Sequence, residues 1–303
     1  MISDLLGSAL LAYAAHVAIM CGIYIILAAS LNLLLGYTGV LSVAHGAFYG
    51  VGAYVAALLM LRAHWPFLAA LVASAAAGAL AGAAVAGPAA RLRGDYLAIA
   101  TLSFQVLLFD LANNLTEYTG GPMGLPGVPT PEVGGWIAAS KLDYVLLIAS
   151  VCGLCLWCAA RVASSPFGRV LRAIREDEVL ASVAGKDVAG AKLRVFALSS
   201  AMASLAGAMY ASYVSFVDPT GFGVNESILM VSMVVLGGAG RLFGPVLGAC
   251  VLVVLPEVLR FFGVGGAAAA NVRQMLYGAA LVAFMLWRPQ GLVGDHVLGG
   301  RQP

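Results

Sequence analysis

Charge is what this sequence has least of. Lysine, arginine, aspartate and glutamate make up 10% of its 303 residues, less than half the share usual in soluble domains. None occurs between Asp4 and Arg62, an uncharged run of 57 residues where about 20 are enough for one membrane span. With 62% hydrophobic residues, this excludes a soluble globular protein and demands at least two spans in that run alone. The net charge of +2, with no basic face interleaved by aromatics, excludes nucleic acid as a partner.

Other absences narrow the chemistry. No disulfide framework is expected, because Cys21, Cys152, Cys155, Cys158 and Cys250 all lie inside apolar stretches, where thiols act as small hydrophobes. Three of them spell C-x-x-C-x-x-C. On a helix, steps of three residues drift round the axis, so packing is expected and no metal site. There is no G-x-x-x-x-G-K-[ST] loop to cradle phosphates, no H-E-x-x-H and no G-x-S-x-G. Four scattered histidines (His16, His45, His64, His296) and no carboxylate cluster in the spans give a hydrolase little to build from. Enzyme activity is not expected. The first apolar run follows no basic segment and no small-residue cleavage site, and reads as a retained span.

What is present is a series of apolar stretches near 9–35, 40–61, 67–90, 96–112, 144–160, 195–217, 227–240, 244–259 and 274–287. They predict an all-α polytopic membrane protein forming one domain over residues 1–303, with about nine helices (8–10). Glycines round residues 36–52 and 237–248 predict that some helices break or re-enter. Seven basic and four acidic residues fall between Arg161 and Arg194, eleven of the chain's thirty charges. The positive-inside rule places that loop in the cytoplasm. Counting outward puts Arg91, Arg93, Arg288 and the C-terminal tail on the same side and the Gly/Pro-rich stretch 113–143 outside.

The charged loop has its own pattern. Ser165 and Pro166 suit a helix cap and first turn, Val170, Leu171, Ile174, Val179 and Leu180 recur at helical spacing, and Gly185 suits a stop. Two readings stand: an amphipathic helix resting on anionic lipid, or one that docks a cytoplasmic motor, since the chain carries none. Polar residues on apolar spans are the candidates for a path. Ser42, His45 and Tyr49 share one helical face and Thr101 and Gln105 another, with Asn32 beside a break. The alternative for all six is bonding to helix backbone or to a break.

The stretch from Asn32 to Tyr54, NLLLGYTGVLSVAHGAFYGVGAY, resembles the signature of permease subunits of branched-chain amino acid importers of the ATP-binding-cassette class. RLRGDYLAIATL (91–102), TGGPMGL (119–125), SPFGRVLRAIREDE (165–178), GGAGRLFGPVLGA (237–249) and RPQGL (288–292) extend the likeness over about residues 10–295 and favour the M-type subunit. The resemblance implies a type II-like importer permease in the bacterial inner membrane. It pairs with an H-type permease, docks two cytoplasmic ATP-binding subunits that hold the ATP and Mg²⁺, and receives solute from a periplasmic binding protein. No cofactor is implied in this chain. The coupling element matches loosely at Glu178, Ala181 and Gly185, and the loop as a whole assigns Arg172, Glu176 and Asp177 beside them. Where the family often carries a glutamate and an arginine, Val106 and Phe109 stand, which leaves urea, short amides or aromatic acids open beside branched-chain amino acids. An ion-coupled secondary transporter is the runner-up class and a membrane scaffold the third.

Overall fold

A computed structural model describes residues 2–89, 92, 94–261, 275, 278, 279, 282 and 291–293. Eleven α-helices follow in order: α1 (Ile2–Thr38), α2 (His45–Arg62), α3 (Phe67–Ala89), α4 (Asp95–Asn114), the short α5 (Thr116–Thr119), α6 (Lys141–Ser164), α7 (Pro166–Glu176), α8 (Glu178–Val183), α9 (Val188–Val214), α10 (Val224–Gly237) and α11 (Phe243–Phe261). Four two-residue strands, β1 (Leu125–Pro126), β2 (Glu132–Val133), β3 (Trp136–Ile137) and β4 (Phe216–Val217), pair β1 with β4 and β2 with β3, both antiparallel.

Six of the helical segments are long and apolar enough to cross a membrane: Leu10–Thr38, Phe67–Pro88, Tyr96–Asn114, Lys141–Ser164, Val188–Val214 and Pro219–Gly237. The expected count of about nine (8–10) is not confirmed by the described residues. α2, of 18 residues, is not among the six, and α11 contributes only the shorter apolar segment Phe243–Glu257. The stretch 274–287 lies outside the described residues save for four positions, as do Arg91, Arg93 and Arg288.

α9 is the central post. It packs against α2 and α3 through glycine and serine, because small residues let backbones approach where no hydrophobic gradient drives helices together. A Cβ at Gly52 would lie 2.0 Å from the Ser204 carbonyl oxygen, one at Gly207 2.0 Å from that of Tyr49, and one at Gly82 1.9 Å from Ser200 Oγ. Ser199 and Ser204 donate their hydroxyls across to the carbonyls of Ser30 (2.6 Å) and Phe48 (2.7 Å).

α1 is continuous through Thr38, and then the backbone leaves helical geometry over residues 39–44 before α2 begins. The glycines round 36–52 predict a break here; it takes in the start of the apolar run 40–61, and Ser42 lies in it. Ser42 therefore does not share a helical face with His45 and Tyr49, as expected from spacing. α2 starts at half depth, where His45 Nε2 lies 2.7 Å from Ser30 Oγ of α1, and ends where Arg62 bonds the carbonyls of Glu117 and Tyr118. α10 starts at the same half depth, since Ser227 Oγ accepts from Gly46 N, and runs the other way. Its end and the turn at 238–242 return to the last turns of α1.

The charged loop forms two helices and not one. Ser165 accepts from Gly168 N and Pro166 fills the first turn of α7, as the sequence predicts. Asp177 then adopts extended backbone (φ −157°) and its Oδ1 accepts from Val179 N and Leu180 N, which ends α7 and caps α8. Gly185 stops α8 at φ +74°, with Lys186 N bonding Ala181 O.

Candidate functional site

Two places carry the chemistry. The first is the half-depth junction where α2 and α10 begin. The first amides of a helix have no partner in it, and in a membrane they need side chains. Val43 N donates to Thr101 Oγ1 (3.1 Å), Gly46 N to Ser227 Oγ (2.8 Å) and Ala47 N to Gln105 Oε1 (2.6 Å). Gln105 also donates from Nε2 to the Phe222 carbonyl (2.5 Å), and Ser227 donates to Gln105 Oε1 (3.2 Å). One amide thus holds α4, α2 and the approach to α10 together.

Asn32 does the same work lower down, donating to Arg241 O (2.9 Å) and accepting from Gly240 N (3.0 Å). Of the six expected path residues, Asn32, Thr101 and Gln105 thus bond the backbone of the breaks. Ser42, His45 and Tyr49 are buried beside them, with Tyr49 edge-on to Phe222. Ser42 Oγ and His45 Nδ1 are enclosed with no hydrogen-bond partner among the described residues.

Sequence reading missed the carboxylates. Glu226, in the first turn of α10, accepts from Tyr24 OH of α1 (3.1 Å), and Glu257 of α11 accepts from Tyr13 OH. The signal was there in part: Glu226 follows a run of Asp-Pro-Thr-Gly-Phe-Gly that opens a helix, but its partners lie about 200 residues away. Phe109, one of the two positions where a charge was expected, lines an apolar cavity of about 180 Å³ between α2 and α4, with Gly50, Tyr54, Leu108 and Phe222. Val106 is exposed on the far side of α4.

The second place is the loop face. Arg172, Glu176 and Gly185 are exposed, and α8 presents Val179, Leu180 and Val183 to the outside. The other three expected coupling residues behave differently. Ala181 is buried under α8, Asp177 spends its carboxylate on the cap, and Glu178 turns inward to Lys192 of α9 at 2.8 Å. Glu178 is therefore tied to α9, with 23% of its side chain exposed.

Residues 13–285 match the family described as branched-chain amino acid transport system / permease component. The chain belongs to that family. Among relatives of this permease, the high-affinity branched-chain amino acid permease LivM of Salmonella typhimurium is 36% identical over 91% of the chain and 69% of its own length. The probable LivM of Methanocaldococcus jannaschii is 25% identical over 90% and 91%. LivH of Salmonella typhimurium is 24% identical over 89% and 91%. No solved structure matches the permease.

Proposed function

We propose that this permease is the M-type subunit of an ATP-driven importer of branched-chain amino acids. In that reading a second, H-type permease completes the path, two cytoplasmic ATP-binding subunits hold ATP and Mg²⁺, and a periplasmic protein delivers the solute. The structural observation that carries the reading is the α7–α8 pair. It is capped and stopped at defined residues, pinned at Glu178, and it shows Val179, Leu180 and Val183 together with Arg169 and Arg172 outward. A helix resting on lipid alone needs no such pinning. The similarity to LivM supports branched-chain amino acids ahead of urea, amides or aromatic acids.

The test is reconstitution. In liposomes the chain alone neither hydrolyses ATP nor accumulates leucine, and addition of its ATP-binding subunits, second permease and binding protein gives ATP-dependent leucine uptake. Leucine uptake by the lone chain, driven by an ion gradient, would replace this reading with secondary transport.

The same reading sets the sides: loop 161–194 and the C-terminus in the cytoplasm, 113–143 in the periplasm, in an inner membrane. It rests on seven basic residues against Lys141 alone. The amides of Leu292 and Val293 support it, since they bond Leu236 O and Gly237 O, at the end of α10 that returns to the last turns of α1. In a cysteine-free background, Ser182→Cys and Thr130→Cys should label with an impermeant thiol reagent from opposite sides. Labelling of both from one side defeats the orientation.

A further inference from the structure

We propose that Arg175 is the residue that transmits movement of the α7–α8 loop to the two broken helices. The inference rests on the ATP-driven reading above and adds to it a named positioning residue. Arg175 sits in the last turn of α7, yet its side chain is only 13% exposed, because it points into the bundle. Its Nη1 donates to the carbonyl of Gly36 at 2.6 Å. That carbonyl lies in the last turn of α1, where the helix dipole favours a cation. In a continued helix it would accept from Val40 N, but that amide turns back to Leu34 O at the break. Arg175 takes the orphaned acceptor.

Both glycine turns are bare where the side chain passes. A Cβ at Gly39 would come within 2.8 Å of Arg175 Cγ, and one at Gly240 within 2.8 Å of Nη1. Asn32 closes the knot by holding Gly240 N and Arg241 O. One guanidinium therefore touches the exit from α1 that leads into α2 and the turn that joins α10 to α11. Displacement of α7 moves both half-helices together, whereas Arg172, on the same helix, bonds Ala163 O beside its own helix. Lysine would not replace it, since a point donor cannot bond Gly36 O while spanning the second turn.

The experiment uses the complete transporter in proteoliposomes and reads three quantities: ATP-binding subunits co-purified, ATP hydrolysed, and leucine imported per ATP. Arg175→Gln keeps co-purification and hydrolysis, while import per ATP falls about tenfold, the scale set by one charge-assisted hydrogen bond. Arg175→Lys falls between. Unchanged import per ATP in Arg175→Gln overturns the proposal, and so does loss of co-purification, which would make Arg175 a docking residue. If wild type itself shows no ATP-dependent uptake, the functional reading has failed and not this inference alone.

Should Arg175→Gln not accumulate, spin labels on Ala173→Cys and Phe243→Cys, both at exposed positions, carry the test in an otherwise cysteine-free protein. The distance between them stays constant between the resting and vanadate-trapped transporter if α7 and the turn move as one. A shift of several ångströms between those states overturns it.

Discussion

Gly52→Val lowers the stability of the permease by about 3 kcal/mol or more, the scale of forced overpacking in a filled core. Its Cβ would sit 2.0 Å from Ser204 O and 2.4 Å from Ser204 Cα, and backbone on a central post cannot swing aside as a side chain can. The matching control is Gly153→Val, on an open face of α6 where nothing lies within 4 Å. Thermal unfolding of detergent-solubilised protein, followed by size-exclusion chromatography, should show a large loss for the first and little for the second. Equal midpoints would mean that α2 and α9 are not in the contact described.

Glu178→Gln has an effect of similar size for a different reason. Lys192 is 2% exposed and its ammonium reaches Glu178 Oε2 at 2.8 Å. Removing one partner of a buried pair strands a charge and costs about 3–5 kcal/mol, whereas replacing both is close to neutral. The double variant Glu178→Gln/Lys192→Met should thus recover most of the unfolding temperature lost by Glu178→Gln. A neutral single variant would show that the pair does not anchor α8. The two outcomes also separate anchoring from docking: the double variant leaves Val179, Leu180 and Val183 on the surface while releasing the tie to α9.

The parts of this fold legible in the sequence are those written locally. Apolar runs long enough for a bilayer announce themselves, and Ser165, Pro166 and Gly185 mark helix ends by the chemistry of single residues. Asp177 belongs to the same class and was overlooked, because Glu-Asp-Glu reads as a charged helix face before it reads as a cap. The break at 39–44 is another matter. The glycines round 36–52 announce a break, but its residues, Gly-Val-Leu-Ser-Val-Ala, are as apolar as the helix that follows, so hydropathy does not fix where that helix begins. What holds the start of the next helix is Thr101, Gln105 and Ser227, 58 to 181 residues away. Gln105 stands out as a polar residue on an apolar span, but its reach to Ala47 N and Phe222 O depends on a register that no local pattern contains. Arg172 and Arg175 read alike in the sequence, because periodicity alone does not tell which arginine of an amphipathic helix turns inward.

Those distant caps bear on how the chain is made. A backbone amide in the hydrocarbon must have a partner, and Gly46 N finds its own in Ser227, which the ribosome adds 181 residues later. At about 5–20 residues per second that interval is roughly 10–40 s. Throughout it, the start of α2 lacks the side chain that accepts from Gly46 N. The bend at 39–44 must therefore wait, with its amides in water or in a provisional continuous helix, until α4 supplies Thr101 and Gln105 and α10 arrives with its serine. The centre of the bundle is encoded early and finished late.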